Sequence, residues 1–128
     1  MPRALRIPSE ADLPPGTVRD FVLLLHVIYR EAHRPTLRTI SKAIRDSDYR
    51  ATASTETVRR MLRGETIPAN WETVEAVLGG LCELANWDPD GMWLYQGAES
   101  SAREHLLRAW HHALDAPDRF YFADEPPF

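Results

Sequence analysis

Arg59, Arg60 and Arg63 fall within about a turn and a half of a candidate helix. Ser54, Thr55 and Glu56 precede them and Gly64 follows. Arginines grouped in this way suit a polyanion. A guanidinium carries a rigid fork of donors that matches phosphate oxygens, or the two acceptors on the major-groove edge of guanine. Glu56 adds an acceptor that suits the amino group of cytosine. Each charge also has a plainer reading. Arg60 stands four residues after Glu56 and can simply pair with it on the helix surface. Arg63, near the end of the helix, can simply complement the helix dipole.

Other reactive residue types form weaker patterns. His111 and Asp115 are four apart on a candidate helix, with His112 beside them. Two ligands on one helix do not complete a metal site, and histidines in a last turn serve solubility and the dipole. Cys82 lies on the apolar side of a helical stretch and reads as a small core residue. The sequence has no glycine-rich phosphate loop, nucleophile elbow or clustered carboxylate pair. The expectation is therefore a protein that is not an enzyme and has no metal and no cofactor.

Charge is divided unevenly along the 128 residues. The formal net charge is −4, from 15 Lys/Arg and 19 Asp/Glu. Residues 30–63 hold nine cations (Arg30, Arg34, Arg38, Lys42, Arg45, Arg50, Arg59, Arg60, Arg63) and four acids (Glu31, Asp46, Asp48, Glu56), or 9 − 4 = +5. The rest holds 6 cations and 15 acids, or −9. Fields are local where the Debye length is ~8 Å, so a basic segment on an acidic body can orient a protein on DNA. A single cysteine excludes an internal disulfide and a cysteine zinc site, and fits a reducing cytoplasm. The longest apolar run, Phe21 to Tyr29, is far short of the ~20 residues of a membrane span, and no signal peptide is visible.

Five helices are expected to position these groups. The first begins near Thr17 and buries Val18, Phe21, Val22, Leu25, Ile28, Tyr29 and Ala32, ending before Pro35. Thr36 caps the second, over Leu37 to Arg45, with Leu37, Ile40 and Ile44 on one face and Arg38 and Lys42 on another. Asp46 to Ala53 reads as a polar loop. Ser54 caps the third, over 55–63, with Val58, Met61 and Leu62 inward and Gly64 at its end. Asn70 caps the fourth, from Trp71, where Gly79 and Gly80 predict a close helix contact. Residues 87–97 read as a loop, and a fifth helix runs from about Ser100 to Ala116. Trp71, Trp87, Trp93 and Trp110 are expected in the core. Convincing period-two alternation is absent, so the domain is expected to be all-α. It divides into an arm at 1–16, a domain at 17–116 and an aromatic, acidic tail at 117–128.

The segments "RPTLRTISKAI", "STETVRRMLRGETIP" and "WETVEAVLGGL" together resemble the Cro/CI-type (XRE) helix-turn-helix family, most of all its actinobacterial form. The likeness covers roughly residues 18–85. It implies a lambda-repressor-like domain that binds double-stranded DNA, regulates transcription and works as a homodimer. By that resemblance Ser54 opens the recognition helix, Val58 and Leu62 are its buried aliphatics and Gly64 ends it. Thr55, Glu56 and Arg59 fall where base edges are touched. Thr36 and Arg38 open the helix that crosses the phosphate backbone. Lys42, Ser54, Arg60 and Arg63 join the phosphate contacts, because residues later in a recognition helix and at helix N-termini reach the backbone. Two departures stand out: Ser41 replaces the family's small alanine, and the link from Ile44 to Ser54 is longer than the usual tight turn. The competing reading is a non-catalytic adaptor that keeps the scaffold and binds protein through its acidic faces and aromatic tail.

Overall fold

Caps and apolar spacing set the helix bounds in the computed structural model, which describes residues 5–47 and 53–115. The helices are α1 (Thr17–Glu31), α2 (Leu37–Arg45), α3 (Thr55–Leu62), α4 (Trp71–Ala85) and α5 (Ala102–Leu114). Four of the five open on a side-chain cap. Thr36 accepts from the Thr39 amide, Ser54 from Thr57, Asn70 from Glu72 and Ser101 from Glu104. Each cap satisfies an amide that has no partner within the helix.

The expectation of an all-α domain is overturned between α4 and α5. Met92–Tyr95 forms β1 and Ala98–Ser101 forms β2, an antiparallel hairpin with Met92 opposite Ser101 and Tyr95 opposite Ala98. The domain is mostly helical, with this one two-stranded sheet among the described residues. Residues 87–97, read as a loop, contain β1 because its pattern lies in burial and not in polarity. All four β1 residues are apolar, yet Met92 and Leu94 are exposed while Trp93 and Tyr95 are half-buried. Gln96 and Gly97 both have positive φ, 50° and 82°, as a two-residue type I′ loop requires. Ser101 ends the strand and caps α5, so α5 starts at Ala102, later than the expected Ser100.

The core runs through every helix. Phe21, Leu25 and Ile28 of α1 meet Ile40 and Ile44 of α2, Val58, Met61 and Leu62 of α3, Val77, Leu78 and Leu81 of α4 and Leu106 of α5 in one buried cluster. α1 packs mainly on α5, and α2 mainly on α4. The α2–α4 approach is close because of Gly80: a Cβ there would lie 2.7 Å from Ile44 Cγ1. The hairpin is clamped on α5 by His105, whose ring meets Trp93 edge-on at 5.4 Å and Tyr95 at 5.7 Å. Arg103 of α5 ties Asp90 (Nε–Oδ1 2.8 Å) to Glu75 of α4. Trp110 is buried and its indole N–H donates to the Pro68 carbonyl at 2.8 Å, whereas Trp71, Trp87 and Trp93 are only half-buried at the core's edge.

Within the expected arm, residues 5–16 lie on the body. Arg19 Nη1 holds the carbonyls of Pro8 and Leu13 at 2.9 and 2.7 Å, and the Leu5 amide donates to the Tyr29 hydroxyl at 3.1 Å. Leu13 is buried against Gly64. The aromatic tail, 117–128, and the middle of the link between α2 and α3, 48–52, lie outside the described residues. Among the described residues no helix is long and apolar enough to cross a membrane.

Candidate nucleic-acid interface

α3 is held by three devices. Its start is capped by Ser54, whose hydroxyl also meets Thr57 Oγ1 at 3.1 Å. Its end is closed by two bonds, Glu65 N–H to Arg60 O at 2.9 Å and Gly64 N–H to Met61 O at 3.1 Å. This is the Schellman pairing, and Gly64 fills its left-handed position with φ 70°. Its inner side is fixed from α1, where the buried His26 donates Nε2–H to the Leu62 carbonyl at 2.6 Å. A carbonyl only accepts, so the bond sets the tautomer. Burial holds the His26 pKa below its ordinary value.

Ser41 is buried and donates to the Ala53 carbonyl at 3.0 Å. That bond anchors the far end of the long link to the middle of α2, and so helps fix how α3 sits against α2.

Val58, Met61 and Leu62 are fully buried, while Thr55, Glu56, Arg60 and Arg63 are exposed and Arg59 half-exposed. The outward charges form one network. Glu56 takes Arg59 through two bonds (Nε–Oε1 3.0 Å, Nη2–Oε2 2.6 Å) and Arg60 through one (Nε–Oε2 2.9 Å). Two neighbouring guanidiniums hold the Glu56 carboxyl down to about 2, through hydrogen bonds first and charge second. Glu65, which the sequence reading left aside, pairs with Arg63 Nε at 3.1 Å and stands 3.7 Å from Arg59 Nη1. Its position directly after Gly64 is the signal that could have found it, since the Schellman turn brings that residue back over the last helical turn.

These pairs leave different donors open. Arg60 and Arg63 each use only Nε in the ion pairs described, which leaves their terminal nitrogens to reach a phosphate. Arg59 has its Nε/Nη2 edge on Glu56, so a base would meet its remaining end or displace the glutamate. In α2 the Thr36 hydroxyl donates to Thr39 Oγ1 at 2.8 Å, and Lys42 pairs with Asp46 at 2.8 Å. Arg38, like Arg30, Arg34 and Arg45, makes no ion pair with any described residue. Arg30 and Arg34 line a groove of about 520 Å³ with Arg6 and His26. Arg50 lies outside the described residues.

The other reactive groups have ordinary surroundings. Cys82 is buried and its thiol is pushed up to about 11 by burial, so it stays protonated at neutral pH. Among the described residues no three His, Cys, Asp or Glu side chains group as metal ligands. No family model, no curated protein and no solved structure matches this chain.

Proposed function

We propose that this protein is a sequence-specific regulator of transcription that binds double-stranded DNA through α2 and α3 and acts in the cytoplasm. The observation that carries the reading is α3 itself. It is short, capped at one end and closed by glycine at the other; Thr55, Glu56 and Arg60 on it and Arg63 at its C-cap are exposed, and Arg59 is half-exposed. A major groove ~12 Å wide admits one such helix. In this reading Thr55, Glu56 and Arg59 meet base edges. Thr36, Arg38, Lys42, Ser54, Arg60 and Arg63 meet phosphate. The resemblance to the Cro/CI type supports the same assignment. A symmetric pair of copies would set two such helices against two half-sites.

The adaptor reading has one observation in its favour: Glu56 and Glu65 neutralise much of the arginine cluster within the protein. Fluorescence anisotropy with random and genomic duplexes at two salt concentrations separates the two readings. A DNA reader binds, weakens steeply with salt and prefers some duplexes. Absence of binding at low salt would leave the adaptor.

A further inference from the structure

Three large apolar side chains are exposed among the described residues, and two of them, Met92 (74% exposed) and Leu94 (63%), stand on β1. They share the face opposite Trp93 and Tyr95, which pack toward α5. Among the described residues β1 has one strand neighbour, β2, and so one free edge. Natural edge strands are guarded by charge, proline, a bulge or a cover. β1 reads Met-Trp-Leu-Tyr, with no charge and no proline, and its register with β2 runs without a bulge.

The register also fixes which backbone groups face that edge. In an antiparallel pair, residues alternate between exchanging both hydrogen bonds and exchanging none. A two-residue loop makes its flanking residues, Tyr95 and Ala98, an exchanging pair, so Trp93 and Ser100 are the next one. The N–H and C=O of Met92 and Leu94 therefore point away from β2. The residues that expose apolar side chains are the same ones whose backbone donors and acceptors have no strand partner among the described residues.

We propose that β1 is a homodimer interface, in which β1 of one copy pairs antiparallel with β1 of a second copy about a twofold axis at Trp93. The pattern is self-complementary. With Trp93 opposite Trp93, Met92 of each copy falls opposite Leu94 of the other, and both are outward-facing positions. All four free groups on each strand then find partners, and the result is a continuous four-stranded sheet. The exposed Met92 and Leu94 side chains become cross-strand neighbours. Such an isologous contact closes on itself and goes no further. His105 packs on Trp93 and Tyr95, so the hairpin is already seated on α5 before any pairing. The assignment does not depend on DNA binding. The strip is far smaller than a standard interface of ~1,600 Å², so the dimer should be weak, with a dissociation constant on the order of 10 μM to 1 mM.

The test needs no DNA. In sedimentation equilibrium of the full chain, the mass should rise from one copy toward two with concentration across that range. Leu94→Lys, on a side chain already mostly in water, should leave the fold intact by circular dichroism and weaken association at least tenfold. Register is tested by mixing Met92→Cys chains with Leu94→Cys chains under mild oxidation. Paired Cα atoms would lie about 5.5 Å apart, within disulfide reach, so the mixture should crosslink faster than either variant alone. A single-copy mass at the highest concentration, unchanged association in Leu94→Lys, or no preference for the mixed crosslink would each overturn the proposal.

Discussion

Glu56 binds the guanidinium of Arg59 along its Nε/Nη2 edge, at 3.0 and 2.6 Å, one turn apart on the same exposed helix face. The contact orders an arginine that would otherwise sample many rotamers. It also occupies one of the two edges that the arginine could offer to a guanine. In the proposed DNA-binding reading, an acid in this position makes approach to phosphate costlier and so trades affinity for discrimination.

The first prediction follows from that trade. Glu56→Gln keeps size and removes charge, releasing Arg59 and Arg60. Affinity for random duplexes should rise a few-fold, and the preferred site should lose its advantage. A base-by-base selection profile identical to that of the wild type would show that Glu56 is only structural.

The same carboxyl has a defined pH signature. Its pKa is depressed to about 2 in the fold, below the ordinary range near 4.5. A depressed carboxylate stabilises the fold above its unfolded value and loses that contribution as pH falls from about 4.5 toward 2. An NMR titration of the Glu56 side chain should place its midpoint near 2. A midpoint near 4.5 would mean that the network does not hold in solution.

Arg59 and Arg38 should separate in kind. Arg59→Ala should weaken the preferred site by about one to two orders of magnitude and random DNA far less. Arg38, with no ion pair among the described residues, should act as a phosphate contact. Arg38→Ala should weaken every duplex alike and flatten the logarithmic salt slope by about one unit. Equal losses on all sequences from both variants would remove Arg59 from base reading.

Much of this architecture was legible because local chemistry and burial agree. Thr36, Ser54 and Asn70 each precede an apolar face at helical spacing, and each caps the helix that follows. Gly64 and Gly80 marked a turn and a close contact, and both are glycine for steric reasons visible in the fold. The hairpin was not legible, since four apolar residues in a row show no alternation and Gln96 is not a customary residue at positive φ. The contacts of Glu65, His26 and Ser41 were not legible for a different reason. Glu65 acts through a backbone turn, and His26 reaches 36 residues along the chain. The buried bond of Ser41 crosses a loop. None of these partners is periodic, so no spacing rule reveals them.

Gly80→Ala tests the packing that seats α2. The added methyl would meet Ile44 Cγ1 at 2.7 Å and the Ile40 carbonyl at 3.5 Å. Overpacking of this kind costs about 1–3 kcal/mol, read by urea unfolding. Adding Ile44→Val should recover part of the loss, because the two sites share one contact. Additive losses in the double variant would place the strain elsewhere.

His26 gives the last prediction, and it links stability to the proposed recognition helix. Its Nε2–H bond to the Leu62 carbonyl satisfies an acceptor in the last turn of α3, and its ring packs edge-on to Tyr29 at 5.7 Å. Burial lowers its pKa, outweighing the hydrogen bond, which acts the other way. The fold therefore favours the neutral ring. Below an unfolded value near 6.5 the unfolded chain takes up the proton first, so stability should fall as pH drops from there toward the lowered folded value. The slope approaches about 1.4 kcal/mol per pH unit at most. His26→Gln keeps a donor and removes the titration. It should unfold with a flatter pH dependence than the wild type across this window, and the difference between the two curves isolates His26 from the other histidines. His26→Ala removes both donor and ring and should cost about 2–4 kcal/mol at neutral pH. Wild-type and His26→Gln stability curves that run parallel from pH 7 to pH 5 would show that the imidazole is not held neutral against α3.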